Sequence, residues 1–330
     1  MTIEAFAVYM NFEVKYMKIV YMGTPDFAVY PLKALVEAGH KVSLVISQPD
    51  KAKGRSNKLV PTPVKAAATE LGIDVFQPEK IKDESAVAKI KKSKPDVIVV
   101  AAYGQILPES ILNIPEYGCI NIHASLLPKY RGAAPIEWSI IDGCEKTGVT
   151  TMYMEKGLDT GDMIEKAEVD IEPDDTGETL HDKLALCGAN LIISTLKALE
   201  DKTAVRTKQD DSESSYAHML TKELGKLDFN MPAVKLERLI RGLIPWPCAY
   251  TRIDGKNVKI LKARVADKTN PAYETGTPGE IIEVTKKTFT VKCKEGALTV
   301  LSLQPEGKKV MDTVSFLNGN KLSIHSMVGE

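Results

Sequence analysis

The 330-residue sequence has no apolar run long enough to cross a membrane as a helix. The short run near its start, Phe6-Ala7-Val8-Tyr9-Met10, follows Glu4 and ends at Asn11, which is the wrong length and flank for a signal peptide. Cysteines are few: Cys119, Cys144, Cys187, Cys248 and Cys293 are odd in number, scattered, and contain no Cys-x-x-Cys. That spacing excludes a disulfide framework and a cysteine zinc site, so no metal is expected and the setting reads as reducing and cytoplasmic. Gly-x-Gly-x-x-Gly is missing after the first apolar strand, where the loop reads Gly23-Thr24-Pro25-Asp26, and this argues against a dinucleotide. There is no internal repeat and no low-complexity tract. Net charge is also nearly absent, at −1. Its distribution is uneven, however. Residues 221–330 carry 18 Lys and Arg against 12 Asp and Glu, and residues 1–220 carry 25 against 32. A basic segment on an acidic chain has the footprint of a nucleic-acid-facing module, although a plain solvated face would look the same.

What remains is ordinary globular material, 44% apolar and 26% charged, of a length that suits two domains. Apolar runs at 18–22, 41–46, 73–76, 96–101 and 118–123 read as strands, and 27–38 and 179–199 have helical spacing. Strands alternating with helices predict a doubly wound α/β domain. Residues 201–215, with Asp210-Asp211-Ser212-Glu213-Ser214-Ser215, have linker composition. Beyond them, an amphipathic helix over 234–243 is stopped by Pro245-Trp246-Pro247. Short strands are expected at 249–253, 258–262, 279–284, 288–293 and 297–303, with a hairpin turn at Asp254-Gly255. Strands this short and close predict a small barrel. Met10 and Met17 are both possible initiators, and residues 1–16 read as an extension or a start-site artefact.

The most telling stretch runs from Asn121 to Asp162. It holds Asn121-Ile122-His123-Ala124-Ser125-Leu126-Leu127-Pro128, Arg131-Gly132-Ala133-Ala134-Pro135 and Gly157-Leu158-Asp159-Thr160-Gly161-Asp162. Asn121 and His123, two apart on a strand, point to one side. An amide donor beside an imidazole suits a developing oxyanion, and a carboxylate can fix the tautomer of that imidazole. Such a set suits attack on a carbonyl carbon without a serine or cysteine nucleophile. Taken singly, Asn-x-His on a strand reads as structural, His123 as a satisfied core histidine and Asp159 as a turn residue.

Together these motifs resemble the folate-dependent formyltransferases, and within them the branch that acts on methionyl initiator tRNA. Met22-Gly23-Thr24-Pro25-Asp26-Phe27-Ala28 is similar to that family's first loop. Gln48-Pro49-Asp50-Lys51 through Gly54-Arg55 and Lys58-Leu59-Val60-Pro61 is similar to its insertion loop, and Ser302-Leu303-Gln304-Pro305 with Gly307-Lys308-Lys309 to its C-terminal end. The likeness runs from about Lys18 to about Met311.

The resemblance implies an α/β fold: a Rossmann-like doubly wound catalytic domain over 17–200, a linker over 201–220 and an OB-like β-barrel tRNA-binding domain over 221–330. It implies formyl transfer from 10-formyltetrahydrofolate to the amine of methionyl initiator tRNA, with Asn121, His123 and Asp159 catalytic. Tyr103, Gly104, Ser125, Leu126, Leu127 and Pro128 are expected beside the folate. The stretch from Gln48 to Lys65 is long for a connection and rich in lysine. It reads as lacking regular structure and as ordering on tRNA through Lys51, Lys53, Arg55 and Lys58. A monomer with no membrane partner is expected. Two other readings share these residues: formylation of an amino sugar on a nucleotide, and an RNA-binding protein with a degenerate Rossmann-like domain. The basic segment and insertion loop disfavour the first, and the intact Asn121, His123 and Asp159 disfavour the second.

Overall fold

A computed structural model describes residues 16–53, 58–267, 273 and 276–329. The chain divides into two compact units. One holds the residues up to Pro128 with Gly148–Ala167 and Leu184–Ser212; the other holds Lys129–Thr147, Glu168–Lys183 and the residues from Glu213 onward.

The first unit is laid down as β1 (Lys18–Gly23), β2 (Lys41–Ile46), a hairpin of β3 (Lys51–Lys53) and β4 (Lys58–Val60), β5 (Val75–Phe76), β6 (Val97–Ala101) and β7 (Cys119–His123). After β8 (Arg131–Gly132), which belongs to the second unit, come β9 (Lys146–Tyr153) and β10 (Met163–Asp170). One seven-stranded sheet results, in the order β10-β9-β7-β6-β1-β2-β5. From β5 to β7 all pairs are parallel, and β9 then joins β7 antiparallel. β6, Val-Ile-Val-Val-Ala, is buried along its whole length, as a central parallel strand covered on both faces must be. β9 and β10 were not expected. β10, Met-Ile-Glu-Lys-Ala-Glu-Val-Asp, is buried only at Met163 and then largely alternates half-buried and exposed positions like an edge strand, and its charges masked it in the sequence.

The helix Pro63–Glu70 starts on Thr62, whose hydroxyl accepts from the Lys65 N–H at 3.2 Å, with Pro63 at the first turn. The helix Gly177–Glu200 covers the span expected at 179–199.

Parallel register decides where the chemistry lies. Gly23 faces Ala101 and Val100 faces Asn121, so β1, β6 and β7 end along one edge. The loops leaving that edge, after Gly23, Ala101 and His123, are neighbours, and Thr24 Oγ1 donates to the Tyr103 carbonyl at 2.9 Å. This is where open α/β sheets carry ligands.

The second unit adds β11 (Tyr216–Ala217), β12 (Ala249–Ile253), β13 (Lys256–Val265), β14 (Ile281–Val284), β15 (Phe289–Lys292), β16 (Ala297–Pro305) and β17 (Met311–Asp312). β11 pairs with β8, and the rest form an antiparallel sheet in the order β12-β13-β16-β15-β14, with β17 on β16. Asp254 and Gly255 both adopt positive φ, 50° and 71°, which is what the Asp-Gly hairpin signal demands. The helix Ala233–Gly242 presses Leu236, Leu239 and Ile240 into the core of Phe289, Val291, Leu298 and Leu303.

Residues 201–215 are not a solvated spacer. In the first unit, Thr207 and Met163 exchange two backbone hydrogen bonds, and Gln209 is buried. In the second, Ser215 accepts from the Arg131 N–H at 2.9 Å. Their polar side chains serve backbone groups of neighbouring strands and loops, which composition alone does not reveal.

Candidate active site

Asn121 and His123 close β7 on one face. The Asn121 side chain is half-buried, and no hydrogen bond within the protein holds its amide among the described residues. His123 lies deeper. Its Nδ1 is 3.8 Å from Asp159 Oδ2, with only 7% and 14% of the two side chains exposed. That distance suits an ion pair with a charged imidazole and exceeds a direct hydrogen bond. Catalytic contacts of this kind commonly shorten only when substrate binds.

Asp159 is held by its backbone. Its φ is +53°, a left-handed value that Asp tolerates better than most residues. Two residues on, Gly161 passes so close to β9 that a Cβ there would strike the Tyr153 carbonyl. Gln209 completes the loop, donating from Nε2 to the carbonyls of Asp159 and Gly161, each at 2.8 Å. The sequence offered no sign of Gln209, because it sits in the segment read as a linker; its lone amide among charges is the only trace. Asp162 points elsewhere, with its carboxylate 3.1 Å from Arg206 Nε.

The Ser125–Pro128 turn leaves β7 directly after His123. Ser125 and Leu127 are buried, and Leu126 and Pro128 half-buried. Thr150 of β9 pins the turn: its hydroxyl donates to the Ser125 carbonyl at 2.7 Å and accepts from the Leu127 N–H at 3.1 Å. Lys166 donates to the Leu127 carbonyl, and burial lowers the basicity of its amine.

The Tyr103 side chain is buried. Its ring belongs to the hydrophobic core with Val100, Leu107 and Ile111, its hydroxyl has no partner there, and burial raises its pKa to about 12. Only its backbone reaches the edge, where its carbonyl also accepts from Gln48 Nε2 at 3.2 Å. Gly104 beside it is exposed, with φ of +91°. Two apolar side chains flank the region unburied, Ile106 in the same loop and Leu158 before Asp159. Backbone amides, a glycine turn and bare apolar side chains suit a flat heterocycle with polar edges. No group of His, Cys, Asp and Glu able to hold a metal occurs among the described residues.

The stretch after Gln48 is not the structureless loop expected. β3 and β4 form a hairpin in which Lys51 faces Val60, Ala52 faces Leu59 and Lys53 faces Lys58. Arg55 lies outside the described residues. Lys51 is exposed. Lys65 is occupied within the protein, with its ammonium 2.6 Å from Asp50. Asp50 also accepts from Gln77 at 2.7 Å, and hydrogen bonds from Gln77 and then Lys65 hold its carboxyl below the ordinary value.

Residues 17–196 match the formyl transferase family model, and residues 219–321 match that of the formyl transferase C-terminal domain. The chain is 55% identical over 315 residues to a methionyl-tRNA formyltransferase of Lachnospira eligens, covering 95% of this chain and all of that one. A methionyl-tRNA formyltransferase of Agathobacter rectalis is 52% identical over 303 residues, covering 92% of this chain and 96% of its own. Among solved structures, the sugar 3N-formyl transferase WlaRD, crystallised in the presence of dTDP and 5-N-formyl-THF, shares the fold with a TM-score of 0.64 at 19% identity, over 89% of this chain and all of that one. Matched over 95% of its length at this identity, the chain belongs to the methionyl-tRNA formyltransferase family.

Proposed function

We propose that the protein transfers the formyl group of 10-formyltetrahydrofolate to the α-amino group of methionyl initiator tRNA, in support of translation initiation. The observation that carries the residue roles is the meeting of Asn121, His123 and Asp159 at the carboxyl end of β7, with the imidazole and carboxylate 3.8 Å apart and little exposed. The folate supplies the formyl carbon. As the methionyl amine forms its bond to that carbon, negative charge grows on the formyl oxygen. Asn121 donates its free amide to that oxygen, and the His123 imidazole donates a second hydrogen bond. Asp159 keeps that imidazole oriented. As the bond from carbon to the folate nitrogen breaks, the proton shed by the amine is delivered to that nitrogen, with His123 and Asp159 assisting. The Tyr103–Gly104 turn and the pinned Ser125–Pro128 turn hold the folate, Tyr103 through its backbone. Lys51 and Lys53 of β3 and Lys58 of β4, together with Arg55, meet the tRNA, and the basic 221–330 segment adds sequence-insensitive attraction.

Formylation of methionyl initiator tRNA by the purified protein tests the reading, with amino-sugar nucleotides as the competing acceptors. His123→Ala and Asn121→Ala are expected to fold normally and to lose at least about 10²-fold in turnover, the scale of losing an oxyanion donor. Near-normal turnover in either variant overturns the assignment.

A further inference from the structure

Two sequence motifs have no part in that chemistry: Pro245-Trp246-Pro247, and Gln304-Pro305 followed by Gly307-Lys308-Lys309. In the second unit both help to line one groove of about 820 Å³. The groove runs over the outward face of β12, β13 and β16. Tyr250 pairs with Lys259 and Lys259 with Gln304, so three side chains align across three strands. Arg252 and Asn257, opposite one another two positions along, share that face. The alternate residues Thr251, Ile253, Val258, Ile260 and Leu303 are buried in the core.

Four cations border the groove, Lys222, Lys226, Arg252 and Lys259, against two acids, Glu223 and Glu306. All four are exposed, and none has a carboxylate within 4.0 Å among the described residues. Some exposed lysines elsewhere are paired, as Lys146 is with Glu168 and Lys197 with Asp201. At the same groove Trp246 leaves 51% of its surface in water, and Tyr250 lies half-buried.

An exposed indole and a tyrosine among unpaired cations have one common chemical complement. Phosphates answer the cations, and base faces stack on the rings. A duplex presents phosphates but keeps its base faces stacked on one another. We propose that this groove binds an unpaired RNA segment, with Trp246 and Tyr250 against bases and Lys222, Lys226, Arg252 and Lys259 along the backbone. The proposal rests on the reading that the acceptor substrate is a tRNA, and deepens it by naming unpaired nucleotides as what the second unit holds.

Trp138 and Trp246 are the only tryptophans, so Trp138→Phe in the full chain leaves Trp246 as the reporter. A short single-stranded RNA oligonucleotide is expected to quench its emission saturably, and a duplex RNA of equal length is not. Trp246→Ala is expected to weaken oligonucleotide and tRNA binding about 5- to 100-fold, with Trp246→Phe restoring part, at an unchanged melting temperature. Arg252→Gln and Lys259→Gln are each expected to reduce the salt dependence of binding by roughly one released ion. Equal quenching by duplex RNA overturns the unpaired-strand assignment. Unchanged affinity in Trp246→Ala, or an unchanged salt slope in the Arg252→Gln/Lys259→Gln pair, overturns the groove. Failure of the wild type to formylate methionyl-tRNA instead strikes at the underlying reading, while quenching by the oligonucleotide still decides the groove by itself.

Discussion

Replacing Gln209 by leucine should damage the active site from behind without touching a reacting group. The side chain is 5% exposed, and its amide donates to the carbonyls of Asp159 and Gly161 at 2.8 Å each. Leucine keeps much of the volume and removes both donors. Two net hydrogen bonds of about 1 kcal/mol each are lost, and the orphaned carbonyls add a desolvation cost, so a loss of about 2–4 kcal/mol is expected. At about 2.1 cal/mol/K of unfolding entropy per residue, a chain of this size then melts roughly 3–6 °C lower. The second consequence is positional. The loop that these bonds close sets Asp159 Oδ2 at 3.8 Å from His123, and a displacement of about 1 Å at such a site costs up to about 10²-fold. We therefore expect kcat/KM for methionyl-tRNA to fall about 10- to 100-fold, measured well below the new melting temperature, with the dissociation constant of the formyl donor unchanged. Gln209→Glu separates the two effects. Its ionised form sets a carboxylate against two carbonyls, and only the protonated form can donate, so its activity should recover as pH falls toward its raised pKa. A lowered melting temperature with wild-type kcat/KM would refute the positional argument. An unchanged melting temperature would refute the energetic one.

Asp159→Asn should lose formylation while donor affinity changes little, and Asp162→Asn should stay active because that carboxylate faces Arg206; the opposite pattern would identify Asp162 as the working acid. Arg55→Leu should reduce kcat/KM for tRNA strongly with no change in melting temperature, and Arg55→Lys should recover only part, since a lysine reproduces the charge but not the planar fork; an unchanged kcat/KM in Arg55→Leu would make the stretch from Gln48 to Lys65 a solvated connection. Acid sensitivity should trace partly to Asp175. Burial alone would raise its pKa, but hydrogen bonds from Lys183, the Glu172 N–H and Thr179 together hold it below the ordinary 3.8. Its folded pKa is thus depressed, so its contribution is complete above about pH 4 and disappears as pH falls through the folded value. Asp175→Asn should lower the melting temperature at neutral pH and flatten its fall below about pH 4, and a parallel fall in both proteins would refute the assignment.

Short-range signals in the sequence were enough to identify the alternating architecture, the Asp-Gly hairpin and the amphipathic helix expected at 234–243, because each depends on periodicity or turn chemistry. Asn121 and His123 share a face whatever the rest of the fold does, since a strand has period two. Tertiary structure decided the remainder. It paired Asp159, rather than Asp162 three residues away, with His123, because a left-handed turn and the close pass at Gly161 aim one carboxylate inward and leave the other to Arg206. It also turned the Tyr103 ring into the core, drew Lys65 onto Asp50 and recruited Gln209 from a stretch that reads as a spacer. These outcomes depend on contacts between residues dozens of positions apart, and a backbone carbonyl that needs a donor leaves no mark on the residue type that will supply it.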